Sequence, residues 1–545
     1  MRIALAQLNY TIGDFEGNLQ KKRLAIQEAL EQGAQLIIFS ELSICGYIPK
    51  DTLDYNSFIE RCDDAVKALL PDSHQIGIVL GSPVFSHLSD GKRLYNAALL
   101  LHKGEVQYQI NKTLLPTYDI FDEYRYFEPN RDFQIVHFEG IRIALTICED
   151  LWNIDETPMY PVTPMEKLLA FDPQLMINIS GSPYSYNHTD ERRKLMQANA
   201  RKYNLPLVYV NQTGAHTDVI FDGGSMFIDR DGEVIEELAF FREEIKVIDW
   251  VADGKYGHQT PKVRNEDIEM IHRALISGLR DYFHKSGFKK AVLGLSGGID
   301  SALVNALAVE ALGPEQVLSV MLPSVYSSKG SVDDSIALCE LTGNPYQILP
   351  IKNIVSEYEN TLSPVFQGLS PDVTEENLQA RSRGVLLMAI SNKLGNILLN
   401  TSNKSESAVG YATLYGDMCG GISVIGDLYK TQVYALCSHI NEKHKMIPDA
   451  IIHKAPSAEL RPGQLDSDSL PPYELLDAIL FHYIENQRGW QEIVAMGFDE
   501  HIVRKIVKMV DRNEYKRFQA APTLRISHKA FGMGRQMPLV AKYFY

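Results

Sequence analysis

Short apolar runs alternate with segments of helical period along almost the whole chain. In the first half, residues 2–8, 35–39, 76–80, 97–101, 141–147, 175–179 and 207–210 are mainly aliphatic runs of strand length. Residues 18–32, 57–70 and 190–203 space their apolar positions as helices do. Such alternation predicts an α/β fold. The runs 96–102 and 105–110 are separated by only Lys103 and Gly104, so antiparallel pairs are expected among parallel ones. Periodicity fails between residues 250 and 265, where glycines, polar residues and Pro261 cluster. The chain therefore divides into residues 1–255, a linker at 256–266, and residues 267–545. In the second half a helix is expected over 266–286, a strand over 291–295, an amphipathic helix over 302–312 and a strand over 397–399. Residues 356–377 read as a loop or helical lid, and Pro471 and Pro472 open a helical C-terminal region.

A chain of 545 residues exceeds one ordinary core, and its 45% hydrophobic and 22% charged content is that of a globular protein. The formal net charge of −16 argues against nucleic acid as a main partner. None of the six cysteines forms a C-x-x-C pair, so zinc spacing is absent and a reducing compartment fits. Residues 1–7 read as a first strand rather than a signal peptide. No run approaches the roughly 18 apolar residues of a membrane span. The expected address is the cytoplasm, with no membrane partner.

The densest chemistry lies at Gly294-Leu295-Ser296-Gly297-Gly298-Ile299-Asp300-Ser301, where a strand meets a helix. Glycines let backbone N–H groups close around an anion, and the helix start adds its positive dipole end. The serines supply hydroxyl donors, and Asp300 is an oxygen ligand suited to magnesium. The pattern is neither Gly-x-x-x-x-Gly-Lys-Ser/Thr nor Gly-x-Gly-x-x-Gly. The run SGGIDS resembles the signature of the ATP pyrophosphatase family, whose members adenylate a carbonyl oxygen and release pyrophosphate. That resemblance implies a doubly wound, Rossmann-like parallel sheet.

Three separated segments carry a second chemistry. One strand ends in Cys148-Glu149-Asp150-Leu151-Trp152, another in Ser40-Glu41, and Lys112 follows a third strand ahead of Pro116. On its own Cys148 reads equally as a buried small hydrophobe. In this order the three resemble the Glu-Lys-Cys triad of the nitrilase, or carbon–nitrogen hydrolase, family, over most of residues 1–250. The resemblance implies a four-layer αββα sandwich. It makes Glu41 the base, Cys148 the nucleophile, and Lys112 the group that lowers the thiol pKa and stabilises the oxyanion. In glutamine-using members it implies glutamine contacts from Tyr118 and Ser182. The basic residue six positions after that serine is His188 here, a departure for which Arg192 or Arg193 would compensate. Glu123 matches a further acid near the triad.

In the second half, Glu376-Asn377-Leu378-Gln379-Ala380-Arg381, Thr401-Ser402-Asn403-Lys404-Ser405-Glu406, Tyr415-Gly416-Asp417 and Leu428-Tyr429-Lys430-Thr431-Gln432 follow in that order. With SGGIDS they resemble the synthetase domain of the NAD synthetase family over residues 265–545. The resemblance implies that Thr401 contacts the ATP adenosine and that Asp300 and Glu406 hold Mg2+. Asn377, Glu406 and Asp417 would face deamido-NAD, with Lys430 near phosphates, Lys516 on the dinucleotide and His528 and Lys529 in a tail over the site.

Joined, the halves imply glutamine hydrolysis feeding ammonia to a deamido-NAD carboxylate activated by ATP. A buried passage would keep that ammonia unprotonated. The alternative is a glutamine-dependent, pyrophosphate-forming amidotransferase with another carboxylate or carbonyl acceptor. A homo-oligomer with paired synthetase domains is expected by resemblance.

Overall fold

The computed structural model describes residues 1–154, 157–252 and 267–541. The chain divides into two compact units, Met1–Arg264 and Asn265–Tyr545. The expected linker at 256–266 lies outside the described residues.

The first unit holds two six-stranded sheets. The strands are β1 (Arg2–Gln7), β2 (Leu36–Ile38), β3 (Gly77–Phe85), β4 (Leu94–His102), β5 (Glu105–Asn111), β6 (Val136–Phe138), β7 (Ile141–Ile147), β8 (Leu175–Ser180), β9 (Leu207–Asn211), β10 (Thr213–His216), β11 (Val219–Asp222), β12 (Met226–Ile228), β13 (Val234–Glu237) and β14 (Glu244–Asp249). Their orders are β14-β1-β2-β3-β4-β5 and β13-β12-β9-β8-β7-β6, with β10 and β11 a separate hairpin. As expected, β4 and β5 pair antiparallel across Lys103-Gly104, while β1–β2–β3 and β7–β8–β9 are parallel.

Side-chain alternation assigns each sheet two buried faces. Ile3, Leu5, Leu36, Ile38 and Val79 of one sheet meet Ile143, Leu145, Ile177 and Val208 of the other in one core. Ala4, Ala6, Ile37 and Ile78 turn the other way, onto the helices Phe15–Glu31 and Asn56–Leu69. Ala144, Met176 and Tyr209 likewise pack on Met196 and Ala200 of helix His188–Tyr203. Helix, sheet, sheet and helix make the expected four layers.

The second unit is built on five parallel strands, β15 (Ala291–Leu295), β16 (Val317–Met321), β17 (Tyr346–Ile348), β18 (Ile397–Asn400) and β19 (Ile422–Ser423), in the order β17-β16-β15-β18-β19. Val292, Val320 and Leu398 pack on Leu387 of helix Val373–Leu394. Strand order reverses between β15 and β18, the place where open α/β sheets bind ligands beyond their strand ends. The helix after β15 runs Ile299–Leu312 and is buried around nearly its whole circumference. It therefore begins three residues earlier than its sequence suggests and is not amphipathic. Residues 356–377 are mostly helical, within Lys352–Phe366 and Val373–Leu394. The expected C-terminal helix opens at Tyr473 with Pro472 as its N-cap.

Candidate active sites

In the first unit Glu41, Lys112 and Cys148 all sit just beyond strand ends and are all buried. The Lys112 ammonium lies between two carboxylates, 2.7 Å from Glu41 Oε1 and 2.8 Å from Glu123 Oε1. Asn96 Nδ2 donates to Glu41 Oε1 at 2.7 Å, and Gly181 N donates to Glu41 Oε2 at 2.9 Å. Tyr47 OH donates to Glu123 at 2.6 Å. Burial alone would lower the lysine pKa; Glu123 and Glu41 overcome it and hold the ammonium well above its ordinary value. Burial pushes Glu123 up to about 7, against the pull of Lys112.

One glycine and two left-handed residues shape these loops. Leu42, directly after Glu41, has φ 44°. A Cβ on Gly81 of β3 would stand 2.2 Å from Leu42 N, so only glycine lets the loop lie so close. Cys148 itself has φ 42°, a sparsely populated conformation that turns the chain sharply at the end of β7. Asp150 binds the two catalytic segments together. Its Oδ1 accepts from Thr113 N (3.0 Å) and Leu114 N (2.9 Å), and its Oδ2 accepts from Ile147 N (3.1 Å). Burial still raises Asp150 to about 7. Lys112 pulls the thiol pKa of Cys148 down, the direction the family resemblance implies. Burial and then Glu41 outweigh it and drive the thiol well above its ordinary value. The resting sulfur is therefore a thiol, and attack on a carbonyl needs a base to take its proton.

Around Cys148, Tyr118 OH stands 3.0 Å from both Glu149 oxygens and Tyr160 OH 3.0 Å from Oε1. Ser182 is fixed by Asn211 on both its N–H and its carbonyl. Its Oγ lies 3.2 Å from His188 Nε2, and the imidazole stacks on Trp152 at 4.9 Å. Neither arginine proposed to stand in for a basic residue at 188 is available. Arg192 is buried in a two-pronged pair with Asp222 (2.9 and 2.7 Å), and Arg193 pairs with Glu237 at 3.1 Å. Asn96, Glu149, Asp150 and Tyr160 are the site residues the sequence reading did not single out. Adjacency to Cys148 was the only signal for Glu149 and Asp150.

In the second unit the Ser296–Ser301 turn lies at the strand-order reversal. Gly297 has φ 75°, and a Cβ there would stand 2.4 Å from the Ser331 carbonyl oxygen. A cavity of ≈ 280 Å³ opens beside it. Gly294, Leu295, Ser296, Gly298, Ile299, Asp300 and Ser301 line it with Thr401, Glu406, Asp417 and Lys430. Val320, Leu322, Leu387 and Leu398 give it an apolar side. Arg383, also on its wall, donates from Nε to the Leu322 carbonyl and was not singled out from sequence.

The Lys430 ammonium is bonded to Asp300 and lies 3.4 Å from Glu406. Burial, and then Asp300, raise Glu406 to about 8. Among the described residues no group of three or more His, Cys, Asp or Glu side chains is placed to hold a metal alone. Magnesium needs only one or two carboxylates with phosphate oxygens and water. Two part-buried carboxylates sharing one ammonium beside the Ser-Gly-Gly turn fit that need. Asn377 Oδ1 accepts from Thr413 Oγ1 at 2.8 Å, and Thr413 N donates to Asp417 at 2.6 Å, which groups two of the expected dinucleotide residues. Lys516 Nζ donates to the Gly410 and Ala412 carbonyls, both at 2.8 Å. The tail is anchored by buried Lys404, which donates to Ser527 Oγ and the Lys529 carbonyl. Among the described residues no helix is long and apolar enough to cross a membrane.

A thiol site shaped for amide hydrolysis and a nucleotide loop at a sheet's switch point define a two-part ligase that makes its own nitrogen donor. Residues 2–251 match the carbon–nitrogen hydrolase family, and residues 271–520 match NAD synthase. The glutamine-dependent NAD(+) synthetase of Synechocystis is 44% identical, with 99% of each chain covered. That of Thermotoga maritima is 41% identical, over 100% of this chain and 99% of its own. The solved glutamine-dependent NAD+ synthetase of Acinetobacter baumannii, in complex with ADP, superposes with TM-score 0.78 at 38% identity, covering 99% of this chain and 98% of that one. The chain belongs to the glutamine-dependent NAD(+) synthetases.

Proposed function

We propose that the first unit hydrolyses glutamine at Cys148 and that the second amidates deamido-NAD at the cavity beside Ser296–Ser301. The observation that carries this is the Lys112 ammonium held between Glu41 and Glu123 next to a buried thiol. Glu41 takes the thiol proton as Cys148 attacks the glutamine side-chain amide. Lys112 and a backbone N–H beside Cys148 stabilise the oxyanion, and ammonia leaves a thioester that water opens. Tyr118 and Ser182 contact glutamine, and His188, supported by Trp152, takes the place of a basic residue.

In the second unit the Ser-Gly-Gly turn and the start of helix Ile299–Leu312 bind the ATP phosphates, with Lys430 beside them and Thr401 on the adenosine. Asp300 and Glu406 would hold Mg2+, which neutralises phosphate charge when bound. Asn377, Glu406, Asp417 and Lys516 face deamido-NAD. A carboxylate resists ammonia until adenylation gives its oxygen a good leaving group, and ammonia must arrive unprotonated to act. Products are NAD, AMP, pyrophosphate and glutamate. We further infer that residues 256–266 link the units, and that the protein is a cytoplasmic homo-oligomer with paired synthetase units.

The test supplies deamido-NAD, MgATP and glutamine to wild type and to Cys148→Ala, scoring NAD and AMP. Wild type makes both; the variant makes them only with added ammonia. Glutamine hydrolysis without AMP or NAD would overturn the acceptor assignment.

A further inference from the structure

Helix Phe15–Glu31 presents Asn18 and Lys22 one turn apart on the same face, and both are buried. They point at the loop that carries Glu41. Lys22 Nζ donates to the Ser43 carbonyl at 2.6 Å. Asn18 Nδ2 donates to the Thr11 carbonyl at 2.8 Å and reaches the next loop carbonyl, Ile44, at 3.4 Å. Gly13 N takes the third, Cys45, at 2.9 Å. Three successive carbonyls just beyond the base are thus held from one side. On the other side Ile44 N donates to the Gly81 carbonyl at 3.1 Å.

Among the described residues Lys22 forms no salt bridge with a carboxylate. Its ammonium instead lies 4.1 Å from the centroid of the Tyr10 ring and 5.4 Å from that of Phe39. Burying a lysine without an acidic partner is costly. A methionine of similar volume would fill the space without that cost, but it has no N–H to give the Ser43 carbonyl. The amine has one in either protonation state, and burial drives its pKa well below the ordinary value.

We infer that Lys22 is a positioning residue for glutamine hydrolysis: with Asn18 it fixes the Ser43–Ile44 carbonyls and thereby the aim of the Glu41 carboxylate at the Cys148 thiol. This rests on Glu41 being the base. The loop has little slack, because Leu42 holds a left-handed conformation and lies against Gly81. Misplacing a reacting group by about 1 Å can cost roughly 100-fold in rate.

The test compares Lys22→Met, Asn18→Ala and Glu41→Gln in the full chain. Glutamine-dependent kcat and KM are measured beside ammonia-dependent NAD formation. Lys22→Met is expected to lower glutamine-dependent kcat by about 10- to 100-fold. KM for glutamine should stay within about threefold, and the ammonia-dependent rate should match wild type. Asn18→Ala, which removes the longer bond of the same clamp, should lower kcat less and in the same way. It decides the matter if Lys22→Met does not fold. The inference is overturned if kcat is retained, if the loss falls on KM, or if the ammonia-dependent rate drops in parallel. A Glu41→Gln enzyme that still hydrolyses glutamine would sink the base assignment instead, whatever Lys22→Met does.

Discussion

Replacing Lys112 by methionine tests the electrostatics of the first site. The ammonium sits 2.7 Å from Glu41 and 2.8 Å from Glu123, with all three side chains buried. Removing one partner of a buried pair costs about 3–5 kcal/mol, because it strands the other charge. Here two carboxylates are stranded together, so the upper end of that range is expected at pH 7.5. Protonation offers an escape. Glu123 is already raised from 4.5 to about 7 with the lysine present. A raised carboxyl pKa favours the folded state below the unfolded pKa, and that contribution is withdrawn as pH rises through the folded value. Without Lys112 the Glu123 pKa rises further. The variant should then regain about 1.4 kcal/mol per pH unit on acidification, or roughly 2.7 kcal/mol between pH 7.5 and 5.5. Urea unfolding followed by tryptophan fluorescence reads this out, since Trp152 and Trp250 lie in the first unit. Adding Glu123→Gln to Lys112→Met should restore part of the lost stability at pH 7.5, since Glu41 stays stranded, weaken the pH dependence and leave glutamine hydrolysis abolished. The reasoning is refuted if Lys112→Met unfolds at the wild-type urea concentration at both pH values, or if Glu123→Gln lowers its stability further.

Three other substitutions separate the parts of the two sites. Asp150→Asn keeps one acceptor oxygen and replaces the other with a donor, so one of the two catalytic segments loses its tether. It should cost about 1–3 kcal/mol and lower glutamine-dependent kcat while ammonia-dependent synthesis persists, measured in parallel assays. Gly297→Ala forces a side chain into a left-handed position and against the Ser331 carbonyl. About 1–2 kcal/mol of backbone strain is expected, with a higher KM for ATP whether glutamine or ammonia supplies nitrogen. His188→Ala should raise KM for glutamine several-fold, by up to about 1.4 kcal/mol, and leave ammonia-dependent activity intact. Arg193→Ala should leave KM unchanged, since Arg193 is engaged by Glu237.

Much of this architecture is legible in one dimension, for an identifiable reason. β1, β7, β8 and β9 are buried on both faces over most of their length, so their runs are mainly apolar and their ends can be read to within a residue. The hairpin β10–β11, Thr213–His216 with Val219–Asp222, mixes glycine, threonine and histidine in four-residue strands and leaves no such trace. Helix Ile299–Leu312 starts early because its N-cap is Gly298, whose backbone accommodates the turn without a capping side chain. Reactive residues were readable where a strand ends in an acid, a lysine or a thiol. Their supports were not. Asn96 reaches Glu41 across 55 positions, Gly181 across 140, and Arg192 finds Asp222 across 30. Arg192 shows the cost of that gap: beside a site it reads as a spare cation, and folded it is fully committed to Asp222.

The two sites share one electrostatic arrangement despite unrelated folds and chemistries. In each, a buried lysine is bracketed by two carboxylates: Lys112 by Glu41 and Glu123, Lys430 by Asp300 and Glu406. In each, one carboxyl is pushed towards neutral pH, Glu123 to about 7 and Glu406 to about 8. Net charge is thus kept low around each lysine. What differs is what the arriving substrate does to the balance. An amide group brings no charge, so on the proposed mechanism the first site develops its own, by moving a proton from sulfur to Glu41 beside a fixed ammonium. ATP brings several negative charges, so on the proposed reading the second site would release Asp300 and Glu406 from Lys430 to a bound cation and turn the ammonium to phosphate. The first triad works best rigid, which is why its loops are tied by Asp150, Asn96 and Gly181. On the proposed reading the second exchanges partners, and its lysine lies on the wall of a cavity that Asp300 and Glu406 also line.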